Sequence, residues 1–493
     1  MRANFWLTRK WLFVFILLFS SVIEAKAEVK LSDTFSVTGY LRHELAVHTG
    51  VKNPNNVSQV DRNSINLSRS FFQTEWTYMP NAAFKLYSKV KLISDQTDAL
   101  DPDMKGYNAF PLSTPRYGTY LRPTNDTELN AEMSELYANV RLGNLWVRLG
   151  KQQIVWGEMI AARFLDQINP LDLSWHQRFE PEEFENIRVP QWAVRARYDV
   201  PLIVPLPWLA DAYLEGFVNP GDVSPNINPA LGSPFGGRPP SPLFNVQEKD
   251  RRGDVEYGFR IGGRVGQVAG TLNYFSLYTD RGFWESSALL KPGAPSPANP
   301  FPTVNKYPRT DLFGASLNYS FPDPINIVVT YEGIYSPDEP YYDAASSLPL
   351  IRYSNTLRHA IQFSRSTFVF PQPISAMAIA VQYSQTLVED HNKIKMTTAP
   401  YTPGSNNIDG EQDVIALTLS QSFMKGNKVT LSLKVLYDLD DCNQITPGFK
   451  YSPGDHWIFD IYGVIVGGAE RRPGRFGASY WADEVFGRIT YQF

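Results

Sequence analysis

The chain has 493 residues, with 46 basic and 50 acidic side chains and a formal charge of -4. That balance offers no basic surplus for nucleic acid, and a mean hydropathy of -0.27 is too polar for a bundle of membrane helices. Aromatic residues nevertheless make up 14% of the chain, which suits strands that alternate between lipid and water.

The first predicted element is an address. Arg2, Arg9 and Lys10 form a positive segment, Trp11 to Phe19 is an unbroken apolar run, and Ala25-Lys26-Ala27 matches a small-x-small cleavage pattern. Together they read as a secretory signal over residues 1–27, too short in its apolar part to span a bilayer. No lipobox cysteine follows. Removing the segment takes away four basic residues and one acidic one, leaving 42 and 49.

From residue 28 to 493 the chain reads as one domain, an all-β transmembrane antiparallel up-and-down barrel. Strict period-two alternation marks half-exposed strands. Eighteen segments show it, among them Thr34–Val47, Ala83–Ser94, Gln191–Asp199, Val255–Arg264 and Val429–Tyr437. In Val255-Glu256-Tyr257-Gly258-Phe259-Arg260-Ile261, one face is Val, Tyr, Phe, Ile and the other Glu, Gly, Arg.

Short connections at 79–82, 142–145, 200–207, 265–267, 321–324, 368–373, 424–427 and 452–455 are mostly rich in Pro, Gly or Asn, as turns demand. Long ones intervene at 48–62, 95–130, 157–190, 219–253, 280–308, 336–351, 389–410 and 467–482, with one brief exception near 438–442. Short periplasmic turns alternating with long extracellular loops are the rhythm of an outer-membrane barrel. Nine loops and eight turns predict eighteen strands with both termini in the periplasm; sixteen is the alternative if one hairpin folds otherwise. A soluble sandwich or solenoid explains the alternation but not this rhythm.

If the apolar face meets lipid, the polar face lines the lumen. That assigns Arg42, Glu44, Lys85, Lys89, Glu135, Arg141, Arg148, Arg195, Arg197, Glu215, Glu256, Arg260, Arg264, Glu332, Arg358 and Arg488 inward. An Arg or Lys at the lipid midplane costs about 2–4 kcal/mol, so the assignment is forced wherever parity is clean. Near Lys151 it is not clean and a bulge is needed. Such a mixed lining with a basic excess predicts an ion- or solute-selective lumen, although enclosed charges also simply pair with one another.

After Trp156 the chain runs 34 residues to the next strand, through Glu158, Arg163, Asp166 and Asp172 and several aromatics. Loops this long are functional or disordered, and the aromatics disfavour disorder. The reading is a segment folded into the lumen as a constriction or plug, with Glu158, Arg163 and Asp166 at the narrowest point and Asp172 close by. An extracellular cap is the alternative.

The segment Leu149-Gly150-Lys151-Gln152-Gln153-Ile154-Val155-Trp156-Gly157-Glu158 is similar to a strand end in porin-like families, including sugar, aromatic-acid and alginate porins or exporters. Combined with Asn169-Pro170-x-Asp172, it resembles a large family of Gram-negative outer-membrane proteins classed as a domain of unknown function. Members of that family are often encoded beside resistance-nodulation-division-type exporters. The resemblance implies a barrel in the outer membrane and a periplasmic or inner-membrane transport partner. It extends over about 25 residues, and beyond them lies in overall pattern.

Further on, Asp95, Asp98, Asp101 and Asp103 have a loose calcium-like spacing that reads better as a solvated acidic loop. Cys442 is the single cysteine, which excludes an intrachain disulfide, a thiolate metal cluster and a haem-attachment motif. The six histidines, His43 and His359 among them, accompany neither a G-x-S-x-G elbow nor an H-E-x-x-H motif, so no enzyme, cofactor or metal site is expected.

The chain ends Arg488-Ile489-Thr490-Tyr491-Gln492-Phe493, an alternating strand closed by Phe. It resembles the terminal strand read by the barrel-assembly machinery, which is the expected partner of Phe493, with outer-membrane lipid around the wall. The leading functional expectation is a channel for passive passage or export of small solutes or hydrophobic or anionic compounds, filtered by loop 157–190. A barrel sheathing or docking another envelope protein is second, and an outer-membrane hydrolase third.

Overall fold

The computed structural model describes residues 29–51, 62–100, 129–159, 163–173, 184–201, 209–220, 226–227, 244–248, 255–286, 301–343, 350–370, 375–389, 396–397, 410–439, 442–468 and 480–493. Residues 1–27, read above as a secretory signal, lie outside them. Eighteen strands form the wall: β1 (Phe35–His48), β2 (Ile65–Asn81), β3 (Phe84–Asp95), β4 (Leu129–Leu142), β5 (Leu145–Gln152), β6 (Gln191–Asp199), β7 (Leu209–Asn219), β8 (Glu256–Val265) and β9 (Val268–Tyr278). They continue as β10 (Arg309–Ser320), β11 (Val328–Asp343), β12 (Ile351–Thr367), β13 (Met377–Val388), β14 (Glu411–Phe423), β15 (Val429–Asp438), β16 (Cys442–Tyr451), β17 (Trp457–Gly468) and β18 (Glu484–Gln492). Each pairs antiparallel with its sequence neighbours.

The last strand returns to the first, from Tyr40↔Gln492 to His48↔Glu484, so the sheet closes on itself. Closure removes the unpaired edges that would otherwise template aggregation. Two backbone bonds complete it, Gly39 N to Phe493 O and Phe493 N to Gly39 O, both 2.9 Å. The Phe493 ring stacks on Phe72 at 6.2 Å and lies over Gly39, where a Cβ would meet its ring at 2.8 Å.

The count of eighteen and the alternation of short and long connections follow the sequence pattern. Two tight turns show why: Gly143 and Gly266 adopt φ of 60° and 61°, the left-handed backbone that two-residue hairpins require. One connection differs. The segment from Ser336 is not a long loop, because β11 continues to Asp343 past a register shift between Ser336 and Glu339. Asp338 there has a φ of 55°, so an irregular step broke the alternation without ending the strand.

Exposure separates the two faces of the wall. Phe259 and Ile261 are 54% exposed and Leu272 67%, whereas Glu256 on the opposite parity is 2% exposed. The alternation fails at Gly150, whose φ is 131°, and Lys151 beyond it is fully buried, its Nζ donating to the Met133 carbonyl at 3.4 Å. The sequence asked for a bulge here, but the register stays regular through Gly150 and Lys151, and the irregular step lies one strand away, where β4 pairs with Lys89 and Val90. Outside the wall, Val29–Ser32 pairs with β1, Met396–Thr397 with the end of β11, and Phe244–Glu248, Phe283–Ser286 and Phe301–Lys306 form a separate small sheet.

Candidate functional site

Beyond Gln152 the chain leaves the wall and runs along its inner face. Ile154, Trp156, Leu165 and Ile168 are almost fully buried, packed with Ala193 of β6, Phe217 of β7, Phe275 and Leu277 of β9, Leu312 of β10 and Ile334 of β11. Trp156 meets Phe217 edge-on at 5.5 Å and Phe275 at 5.0 Å. All six strand residues point inward, where the other positions are mainly polar. Fully burying such a side chain stabilises by roughly 1.5–3 kcal/mol, so the four together contribute a large share of what holds the loop against the wall.

Polar bonds fix the path. Ile154 N donates to Asn169 Oδ1 at 2.8 Å, Asn169 Nδ2 to the Val189 carbonyl at 3.0 Å, and Arg163 Nη2 to the Asn169 carbonyl at 2.7 Å. Asn169 thus ties three stretches of loop together, which gives the Asn-Pro motif a structural reason. Asp166 joins the outgoing and returning arms, accepting from Arg163 at 3.2 Å and Arg188 at 2.8 Å. Asp172 N donates to the Ile187 carbonyl at 2.6 Å.

The tip is held by Glu332 of β11. Its carboxylate is buried and accepts backbone N–H bonds from Glu158 and from Leu165, the latter at 3.3 Å. Gly157 permits the approach, since a Cβ there would meet Asp166 N at 2.9 Å. The exposed Glu158 carboxylate accepts from Asn318 Nδ2 at 2.7 Å. Of the four loop residues singled out in the sequence, Asp166 and Asp172 are therefore buried, Arg163 is engaged with Asp166 and Asn169, and Glu158 alone is exposed.

Beside Trp156, arginines from three strands converge. Glu215 accepts from Trp156 Nε1 at 2.9 Å and pairs with Arg195 at 2.7 Å and Arg260 at 2.9 Å. Two guanidinium groups thus share one carboxylate. Arg260 stands over Trp156 at 5.0 Å, Arg197 over Tyr213 at 3.9 Å, and Arg148 over Tyr137 at 3.9 Å. Arg148 donates to Asn139 at 2.7 Å and has no carboxylate within salt-bridge distance among the described residues. Nearer the turn end, Arg197 pairs with Asp199 at 2.8 Å and Arg264 with Asp211 at 2.9 Å.

The remaining inward charges are mostly matched. Arg42 lies 3.7 Å from Glu44, Arg488 2.6 Å from Asp460, and Lys89 between Glu135 at 3.3 Å and Glu75 at 3.7 Å, while Arg358 pairs with Glu339. The inner face of β12–β16 carries mainly amides and hydroxyls, such as Gln362, Gln382, Ser384, Thr418 and Ser432. Of the calcium-like aspartates, Asp95 is buried against Arg69 at 2.9 Å, and Asp101 and Asp103 lie outside the described residues. Among the described residues no group of three His, Cys, Asp or Glu could hold a metal.

A family model described as "Protein of unknown function (DUF1302)" matches residues 96–493. The chain belongs to that family. The DUF1302 match takes in β4–β18, the interior loop and every arginine around Glu215. No curated protein sequence matches this chain.

Among solved structures, OccAB3 of Acinetobacter baumannii is similar over 93% of this chain and 99% of that one, at 8% identity and a TM-score of 0.51. OccK5 (OpdH) of Pseudomonas aeruginosa is similar over 94% and 99%, at 8% identity and a TM-score of 0.46. The outer membrane channel DcaP of A. baumannii is similar over 95% and 100%, at 9% identity and a TM-score of 0.40. At such identities the likeness is one of fold, and OccAB3 shares that of this DUF1302 chain.

The sequence reading missed the apolar pad beneath the loop. Its signal was present: Phe217, Phe275, Leu277, Leu312 and Ile334 occupy the polar parity of their strands. Inward apolar residues on neighbouring strands are the mark of a surface that another part of the chain covers.

Proposed function

We propose that this protein is an outer-membrane channel for passive passage of small anionic solutes, narrowed from one side by loop 157–190. In this reading residues 1–27 direct export, the turn end faces the periplasm, and Phe493 presents the chain to the barrel-assembly machinery. The observation that carries the reading is charge. Arg195 and Arg260 share the single carboxylate of Glu215, and Arg148 nearby has none. Charged rings set selectivity in pores, and an uncompensated cation in a confined, low-dielectric space attracts anions more strongly than it does in open water.

Arg42, Glu44, Arg197, Arg264 and Arg358 line the rest of the lumen in this reading, as paired charges that contribute less to selectivity. Glu158 is the loop residue at the narrowing, while Arg163, Asp166 and Asp172 hold the loop's shape. Aromatic rings under the arginines keep the guanidinium groups oriented without neutralising them. The test is a planar bilayer under a potassium chloride gradient. A reversal potential on the anion side, displaced toward cations in R148E, is the expected result. Absence of conductance, or cation preference in the wild type, would overturn the proposal.

A further inference from the structure

At two places inside the barrel a carboxylate sits between two guanidinium groups. Asp166 lies between Arg163 and Arg188, and Glu215 between Arg195 and Arg260. A further pair of arginines meets without one. Arg148 of β5 and Arg195 of β6 are direct cross-strand partners on the inner face. Their Cβ atoms stand about 4.5–5.5 Å apart, and like charges directly opposite destabilise a sheet. Glu215 belongs to β7, beyond Arg195 as seen from Arg148, so it does not come between them.

The free donors of this pair are specific. Arg148 gives Nε to Asn139 Oδ1 at 2.7 Å, and its two Nη groups have no partner among the described residues. Arg195 directs Nε and Nη2 to Glu215 Oε1, both at 2.7 Å, which leaves Nη1. Both side chains are only part-buried. Arg148 stands over the Tyr137 ring at 3.9 Å, and the Trp146 ring has Arg148 at 5.1 Å and Arg195 at 5.4 Å. The rings take guanidinium faces, so the free N–H groups are offered edge-on. An edge of this kind suits a flat acceptor with two oxygens in one plane. A tetrahedral oxyanion carries further oxygens out of that plane, toward ring faces whose quadrupole repels negative charge. A halide has a single centre and does not match the spacing of the fork.

We infer that Arg148, with Arg195 beside it, is a binding subsite for the carboxylate of a solute in the lumen. This rests on the channel reading above and narrows its anions to carboxylates. Glu215 is the chain's own example one strand further on, held by two arginines and by Trp156 Nε1 at 2.9 Å. A solute carboxylate at Arg148 takes the same edge-on position and separates two like charges that otherwise face each other. It finds fewer donors than Glu215 does, since Arg195 is already engaged. Binding of that strength suits passage, which requires a site favourable enough to enter and weak enough to leave.

The experiment uses the full chain in planar bilayers and, separately, solubilised in mild detergent. Acetate added to potassium chloride should depress the anion current, and phosphate at equal concentration should depress it less. Saturation-transfer NMR should show the acetate methyl protons receiving magnetisation from the solubilised barrel. R148K keeps the charge but lacks the planar fork. In it both acetate effects should be lost, while the heat-modifiable mobility of a folded barrel persists. Acetate that neither depresses the current nor shows transfer overturns the inference and leaves an anion-conducting channel standing. Phosphate acting as strongly as acetate overturns it too, as does an R148K protein that responds to acetate as the wild type does. An absent current together with transfer that depends on Arg148 would instead overturn the channel and keep the subsite.

Discussion

The two halves of the interior obey one parity rule and put it to different ends. On β12–β16 inward positions hold amides and hydroxyls such as Gln382 and Thr418. On β6–β11 several hold Phe217, Phe275, Leu277, Leu312 and Ile334, and the loop from Ile154 to Ile168 lies on them. Inward does not mean polar; it means matched to whatever covers the wall. Where neighbouring polar side chains cover it, amides and hydroxyls suffice, and where the chain's own loop covers it, apolar area stabilises the contact.

The sharpest way to break this contrast is Trp156→Ala. Emptying an aromatic site of this kind costs about 3–5 kcal/mol. The wall should still close, but the loop should become cleavable by added protease, and single-channel conductance should rise. Glu332→Leu comes next. It leaves the N–H groups of Glu158 and Leu165 without their acceptor, at about 1–3 kcal/mol each. Hydrogen exchange should quicken at those two amides, and less so in Glu332→Gln, which keeps an acceptor oxygen.

Arg148→Glu tests charge without touching the pad. Stability should change little, while the reversal potential moves toward cations, with Arg148→Gln giving about half that displacement. At the other side of the lumen, Thr418→Ala, at a part-buried inward position, should alter stability by no more than about 0.5 kcal/mol and leave the reversal potential where it was. A large effect there, or none at Arg148, would erase the distinction between the halves.

The wall was legible because its signals are local. Alternation shows in a run such as Glu256–Val265, and Gly143 and Gly266 announce their turns within a few residues. Even the failure of alternation beside Lys151 could be read, though not its agent, Gly150. The site was harder because its partners are distant in sequence. Glu332 looks like any inward carboxylate until the Glu158 and Leu165 amides meet it, and Asn169 looks like a turn residue until Ile154 and Val189 appear beside it. Asp166 was singled out for its charge, yet Arg163 and Arg188 make it a brace, because a carboxylate between two guanidinium groups is buried by them.

The pairing of β1 with β18 has a consequence in time rather than in space. Arg42 Nε donates to Thr490 Oγ1 across 448 positions of sequence. Contacts so remote carry the largest loss of chain freedom and form late, and this one must wait for the final strand to be synthesised. Until then β1 and every newly added strand offer a raw edge to any other chain. A chain exported as proposed above would need an escort through the aqueous compartment on its way. A version lacking only its last nine or ten residues should accumulate as aggregate or be degraded, however sound the other seventeen strands.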